Sequence, residues 1–168
     1  LRDGGVIAYP TDSAYALGCA LDNKAAVDQI RRIRGLDKQH NFTLICRDLS
    51  ELSSYARFDN VIFRLLKAHT PGPYTFVLPA TREVPKRLQH PKRKTIGLRI
   101  PDSPVSLAIL EALGEPLMSV SLIMPGDDMP VADIDEYEDR LEKKVNLIID
   151  AGHCGIHPSS VISLTGPV

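Results

Sequence analysis

What most constrains this chain is an alternation of short apolar runs with amphipathic stretches, carried from end to end without an interrupting linker or internal repeat. Val6-Ile7-Ala8-Tyr9 follows Gly4-Gly5 and stops at Pro10, which reads as a buried strand. Lys24 to Arg34 sets Ala26, Val27, Ile30 and Ile33 on one helical face, with Gly35 placed to cap its end. Thr43 to Cys46 reads as a strand, and Asp48 with Glu51 makes a capping box for a short helix. Asp59 caps a further helix through Leu66, closed by Pro71-Gly72-Pro73. Tyr74 to Leu78 and Thr95 to Ile100 read as strands, and a helix starts at Ser103-Pro104 and ends at Gly114. Leu117 to Leu122 and Val145 to Ile149 read as buried strands, with an acidic helix over Asp133–Lys144 between them and a last strand at Val161–Leu164. Such alternation predicts an α/β fold with one twisted sheet, parallel or mixed, and flanking helices.

The 168 residues predict a single domain over 1–168, and the opening at Leu1 predicts short native segments beyond both ends. No apolar run approaches the roughly 20 residues of a membrane span, so no membrane partner is expected. Cys19, Cys46 and Cys154 are widely spaced and form no C-x-x-C pair, which points to a reducing, cytoplasmic setting. A formal net charge of −1 hides a strong asymmetry. Arg82, Lys86, Arg87, Lys92, Arg93, Lys94 and Arg99 crowd one segment, and Asp127, Asp128, Asp133, Asp135, Glu136, Glu138, Asp139 and Glu142 another. The basic stretch is either a footprint for phosphate-bearing partners or a solvated loop.

Several chemistries are missing from the sequence. There is no P-loop, no dinucleotide fingerprint after a strand, and no G-x-S-x-G elbow. His153, Cys154 and His157 lie in a Gly/Pro-rich loop without further ligands at zinc spacing, so no protein-bound metal site is expected. Polar residues gather instead at strand ends: Pro10–Gly18, Arg32-Ile33-Arg34, Thr95–Pro101, and Ser119-Val120-Ser121. In open α/β sheets such places line a crevice.

In order and spacing these segments resemble the YrdC/YciO family of threonylcarbamoyl-AMP synthases over nearly the whole chain. The family's P-T-E/D-T/S-x-Y-G-L-G opening matches Pro10–Gly18, with Ala16 in place of a glycine. Its W-P-G-P-x-T-x-V-L matches Thr70–Leu78, its G-x-R-x-P matches Gly97–Pro101, and its E-S-T-V resembles Pro158-Ser159-Ser160-Val161. The resemblance implies a YrdC/RibB-like mixed sheet with a deep, concave, basic cavity. It also implies a nucleotidyltransferase reaction: L-threonine, bicarbonate and ATP give threonylcarbamoyl-AMP and pyrophosphate for the N6-threonylcarbamoyl modification of tRNA adenosine. Magnesium is expected with ATP, and tRNA or double-stranded RNA as a partner. The alternative is a non-catalytic double-stranded RNA- or nucleotide-binding protein of the same fold.

Two departures resemble the YciO branch. The family's K-x-R is Arg32-Ile33-Arg34 here, replacing an ammonium with a planar guanidinium. Its S-x-S-A-N-x-S-G is Ser119–Gly126, with Ile123 in place of an asparagine that could donate and accept at the nucleotide. The resemblance makes Arg32 and Arg34 the catalytic candidates, and Thr11, Tyr15, His40, Thr75, Arg99, Ser119 and Ser121 the candidates for threonine and ATP. Lys92, Arg93 and Lys94 are candidates for RNA contact. Each residue type fits a second role. Thr11 contacts substrate or closes the turn after Pro10. Arg32 and Arg34 hold phosphate or simply complement a helix C-terminus. Arg99, in an otherwise apolar strand, requires a partner wherever it points. Ser119 and Ser121 share one strand face and serve as donors or as small packing groups.

Overall fold

A computed structural model describes residues 1–36, 40, 42–154 and 159–164. The elements are β1 (Ile7–Pro10), β2 (Tyr15–Ala20), α1 (Lys24–Arg34), β3 (Thr43–Ile45), α2 (Leu49–Ser53), α3 (Asn60–His69), β4 (Tyr74–Pro79), β5 (Thr95–Arg99), α4 (Pro104–Leu113), β6 (Leu117–Ser121), α5 (Glu138–Leu141), β7 (Leu147–Ile148) and β8 (Ser160–Ser163). All strands join one eight-stranded mixed sheet in the order β7-β1-β2-β6-β3-β5-β4-β8. The pairs β1/β7, β3/β5 and β4/β8 are parallel and the others antiparallel.

Period-two alternation decides how the two faces are used. Ala8, Leu17, Cys19, Leu44, Phe76, Leu78, Ile96, Leu98, Met118 and Val120 point into the main core, where they meet Val27, Ile30 and Ile33 of α1, Leu52 of α2 and Leu66 of α3. The alternate residues form a smaller core of Ile7, Tyr9, Ala16, Ile45 and Leu117, covered by Leu110 and Leu113 of α4. Helix α4 is anchored there by Ser106, whose buried hydroxyl donates to Pro10 O at 2.8 Å. Beyond α4 the same face carries Thr43, Thr75, Gly97, Arg99, Ser119 and Ser121, which are small or polar. No helix of the main core lies on that side, and the site forms there.

Helix ends follow local chemistry. Asn23, Asp59 and Ser103 cap α1, α3 and α4 through their side chains, and Gly35 and Gly114 close α1 and α4 in the left-handed region. The expected capping box at α2 is displaced by one residue: Asp48 accepts from Glu51 N, but Glu51 accepts from Arg47 N.

Three expectations are corrected. Strand β2 was not anticipated; the sequence marks Pro10–Gly18 only as a motif segment after the first strand. The strand is an interior one of the sheet, buried along its whole length, with Tyr15, Leu17 and Cys19 in the main core and Ala16 on the opposite face. The acidic helix over Asp133–Lys144 is instead a 3-10 turn at Ile134–Glu136 followed by the single turn of α5. Only Ile134 and Leu141 of these elements are buried, and acidic side chains at helical spacing repel. The strand expected at Val145–Ile149 shrinks to β7, a sheet edge with Leu147 56% exposed. Among the described residues no helix is long and apolar enough to cross a membrane.

Candidate functional site

The uncovered part of the α4 face forms a polar cavity lined by Thr11, Ser13, Thr43, Thr75, Arg99, Ser119, Ser121 and Ser159, with Ala14, Tyr15, Ala16, Ile45 and Val120 between them. The cavity is about 50 Å³. That space suits a water or a compact polar group, so a larger ligand extends over the open mouth.

The floor exists because glycine occupies two strand positions. Gly97 pairs with Thr43, and a Cβ there would lie 2.8 Å from Thr43 Oγ1 and 3.2 Å from both Phe42 O and Thr75 Cγ2. Gly18 pairs with Ile7 on β1 and Ser119 on β6, and the Tyr9 ring packs over it. A Cβ on it would meet Tyr9 Cε1 at 2.9 Å and Leu117 Cδ2 at 2.8 Å. Without it, the Tyr9 ring lies across β2 and its hydroxyl bonds Ser119 Oγ at 2.6 Å.

That contact has a direction. Tyr9 is fully buried and Ser119 is its phenol's hydrogen-bond partner, so satisfying the phenol proton requires Tyr9 to donate. The Ser119 proton is then left for the cavity. Burial pushes the Tyr9 phenol up to about 12, despite the Ser119 bond and the nearby Arg99 charge, so it stays a neutral donor. Thr75 Oγ1 and Ser159 Oγ pair at 2.7 Å, which likewise leaves one hydroxyl proton over.

Among the described residues Arg99 is the only charged one in the lining. It is 6% exposed. Its Nη2 pairs with the Asp12 carboxylate and its Nη1 donates to Ser13 Oγ at 2.9 Å. Asp12 Oδ2 also accepts from Asp102 N at 3.0 Å. The Arg99 Nε is buried with no hydrogen-bond partner among the described residues. Burial draws the guanidinium below the ordinary arginine value, and the adjacent carboxylate holds it charged. The floor thus presents N–H and O–H donors around one fixed cation, an arrangement complementary to a carboxylate, carbamate or phosphate oxygen.

The structure gathers Thr11, Tyr15, Thr75, Arg99, Ser119 and Ser121 at this cavity. Thr11 spends its hydroxyl locally, donating to Ala14 O at 2.6 Å and accepting from Ser13 N and Ala14 N at 3.1 Å; it shapes the loop that carries Asp12 and Ser13. The Tyr15 hydroxyl donates to Gly152 O at 2.7 Å and accepts from Ala151 N at 3.0 Å, tying the 150–152 segment over β2. Arg34, at the end of α1, donates to Ser121 O at 2.5 Å and so stands at the rim, with its value lowered by burial. Arg32 is exposed and does not join the lining. His40 lies outside the lining, edge-on to Phe42 with ring centroids 5.6 Å apart. Lys92, Arg93 and Lys94 are exposed ahead of β5 and belong to a different surface.

Asp12, Ser13, Thr43, Ser159, Tyr9 and Gly18 were not singled out as site residues. The partner rule for a buried arginine carries the signal for Asp12, whereas Tyr9 and Gly18 matter only through cross-strand register. Among the described residues no group of three or more His, Cys, Asp or Glu could hold a metal ion. His157, Pro158 and Asn41 lie outside the described residues.

A family model named Sua5_yciO_yrdC, described as telomere recombination, matches residues 1–168. The Escherichia coli K12 protein YciO is 58% identical over 98% of this chain and 80% of its own length. The crystal structure of E. coli YciO superposes with a TM-score of 0.94 over 98% of this chain and 80% of that one. A threonylcarbamoyl-AMP synthase of Vibrio vulnificus is 29% identical over 89% of this chain and 81% of its own. The crystal structure of P. abyssi Sua5 complexed with L-threonine gives a TM-score of 0.89 at 26% identity, covering 98% of this chain and 48% of that one.

Proposed function

Because the chain belongs to the Sua5–YciO–YrdC family, we propose that it is a threonylcarbamoyl-AMP synthase, taking L-threonine, bicarbonate and ATP on the open sheet face. The observation that carries this reading is the floor of N–H and O–H donors around Arg99. The Nε of Arg99 lacks a partner, and Ser119 and the Thr75–Ser159 pair each retain a hydroxyl proton. Such a floor suits a small anionic head and leaves a larger partner over the mouth. The threonine carboxylate or its N-carbamate meets the first requirement, and ATP the second. The synthase reading also draws support from the Vibrio relative and from the Sua5 crystal structure, whose bound molecule is L-threonine.

The chemistry needs positioning and charge stabilisation more than a titrating base. Threonine and bicarbonate condense to a carbamate with loss of water. A carbamate oxygen attacks the α-phosphorus of ATP, the bond to the β-phosphate oxygen breaks, and pyrophosphate leaves with that electron pair. Negative charge crowds at the point of attack, where fixed donors act without reorganising. Arg99 is held by Asp12 and Ser13 and serves the anionic head. Arg34, tethered to Ser121 O at the rim, faces the phosphates, whereas exposed Arg32, two residues away on α1, does not share its face. Magnesium enters as part of the ATP substrate. The Asp12 carboxylate is already shared by Arg99 and Asp102 N, so the ion's ligands would come from phosphates and water.

Incubation with ATP, labelled threonine and bicarbonate tests the reading. Labelled threonylcarbamoyl-AMP is expected, together with its loss in Arg99→Met. Absence of product from a normally folded protein would falsify it.

A further inference from the structure

A second groove, sharing no lining residue with the first, holds about 600 Å³. Arg57, Arg82, Lys86 and Lys94 line it, with Thr81 and Gln89 among the residues between them. None of these cations makes an ion pair with a described residue. Among the described residues no carboxylate and no aromatic ring lies in the lining.

The convergence is built rather than accidental. Arg57 N donates to Pro79 O at 2.9 Å, Thr81 N to Tyr55 O at 3.0 Å, and Ala80 N to Lys94 O at 3.0 Å, sewing three chain segments together. Thr81 Oγ1 adds a bond to Ser54 O at 2.7 Å, and Gln89 Nε2 holds Val84 O at 2.9 Å. Val84 and Leu88, each 1% exposed, nail the loop to the main core. The turn that delivers Lys94 is closed by His90, whose Nδ1 accepts from Lys92 N at 3.2 Å and Arg93 N at 3.1 Å. Lys94 itself sits at φ 56°, a left-handed backbone that a lysine adopts at a cost and that clusters where function maintains it.

Like charges brought together by tethered backbone, with no counter-charge among them, raise the local positive potential and favour an anion. The volume is that of a small-ligand site, typically about 300–1,000 Å³. Without an aromatic ring there is no platform for a base, so recognition falls on phosphates. We infer that this groove binds a small, multiply charged phosphate ligand through its phosphate oxygens, independently of the cavity around Arg99.

Calorimetric titration of the chain with inorganic tripolyphosphate tests this. Saturable binding is expected, weakening about tenfold or more between roughly 50 and 200 mM salt. The exposed pair Arg82→Glu with Lys86→Glu should weaken it by about tenfold or more. Lys94→Gly removes a cation while supplying the residue best suited to that backbone, so weaker binding there cannot come from a damaged fold. No binding by the wild-type chain, or unchanged binding in both variants, overturns the inference. So does a duplex RNA that binds the wild-type groove, loses affinity in the variants, and is not displaced by tripolyphosphate.

Discussion

Replacing Asp12 with alanine strands a buried guanidinium. Arg99 is 6% exposed, and the Asp12 side chain is 12% exposed. Removing the carboxylate takes the partner of Nη2, adds to the Nε already without one, and frees Asp102 N. Breaking a buried pair from one side costs about 3–5 kcal/mol. Water reaches Asp12 at its edge, which places the expected loss at the lower end, about 3 kcal/mol. With a urea m-value of about 2 kcal/mol/M, the midpoint should fall by roughly 1.5 M. Asp12→Asn keeps an acceptor for Nη2 and should lose about half as much, the worth of one charged hydrogen bond at about 1.5 kcal/mol. Coupling to Arg99→Met in a double-mutant cycle isolates the pair, and the double variant should regain stability over Asp12→Ala alone. A loss below about 1 kcal/mol, the scale of an exposed ion pair, would refute a buried Arg99 lock.

Alkaline pH offers a separate check. Tyr9 titrates near 12 in the folded chain against 10 ordinarily, and Cys19 near 12 against 9, both because burial disfavours the anion. Both folded values are raised, so the stability they carry is complete below the unfolded values and falls as pH rises toward about 12. At about 1.4 kcal/mol per unit, Tyr9 alone accounts for a loss of roughly 3 kcal/mol. Urea midpoints should therefore decline above about pH 9, less steeply in Tyr9→Phe, and equal slopes would count against the buried phenol. Gly97→Ala should cost about 1–3 kcal/mol and reduce threonine affinity, because its methyl group presses on Thr43, Thr75 and the Phe42 carbonyl. Ile123→Asn restores the amide expected at the nucleotide and should speed adenylate formation about tenfold, the kinetic equivalent of about 1.4 kcal/mol; an unchanged rate would remove Ile123 from the account.

Period and punctuation made much of the fold legible. Val6–Tyr9, the Ala26/Val27/Ile30/Ile33 stripe and the Gly35 and Gly114 caps all lie where the sequence places them. Strand β2 escaped because Gly18 interrupts its apolar run, and a glycine inside a strand weakens the local strand signal. The acidic segment misled because helical spacing of charges is not an apolar stripe. At the site, Arg99 was conspicuous as a charge in an apolar strand that needs a partner, but which carboxylate supplies it was not legible. The Tyr9–Ser119 contact was invisible, since it depends on the Tyr9 ring crossing Gly18, which pairs with Ile7 and Ser119 in a register that no local pattern encodes. Thr11 and Tyr15 lie at the cavity, but their hydroxyls are occupied by loop backbone. Residue type alone did not reveal that.

The central claim is that the donor floor around Arg99 receives the anionic head of the substrate. A crystal structure of the chain soaked with L-threonine tests it most directly. The account predicts the threonine carboxylate at Arg99 Nε and the Ser119 hydroxyl, with the amine directed toward the mouth beside Ser121 and Arg34. Threonine bound elsewhere, or an Arg99 Nε still without a partner at saturating threonine, would contradict it.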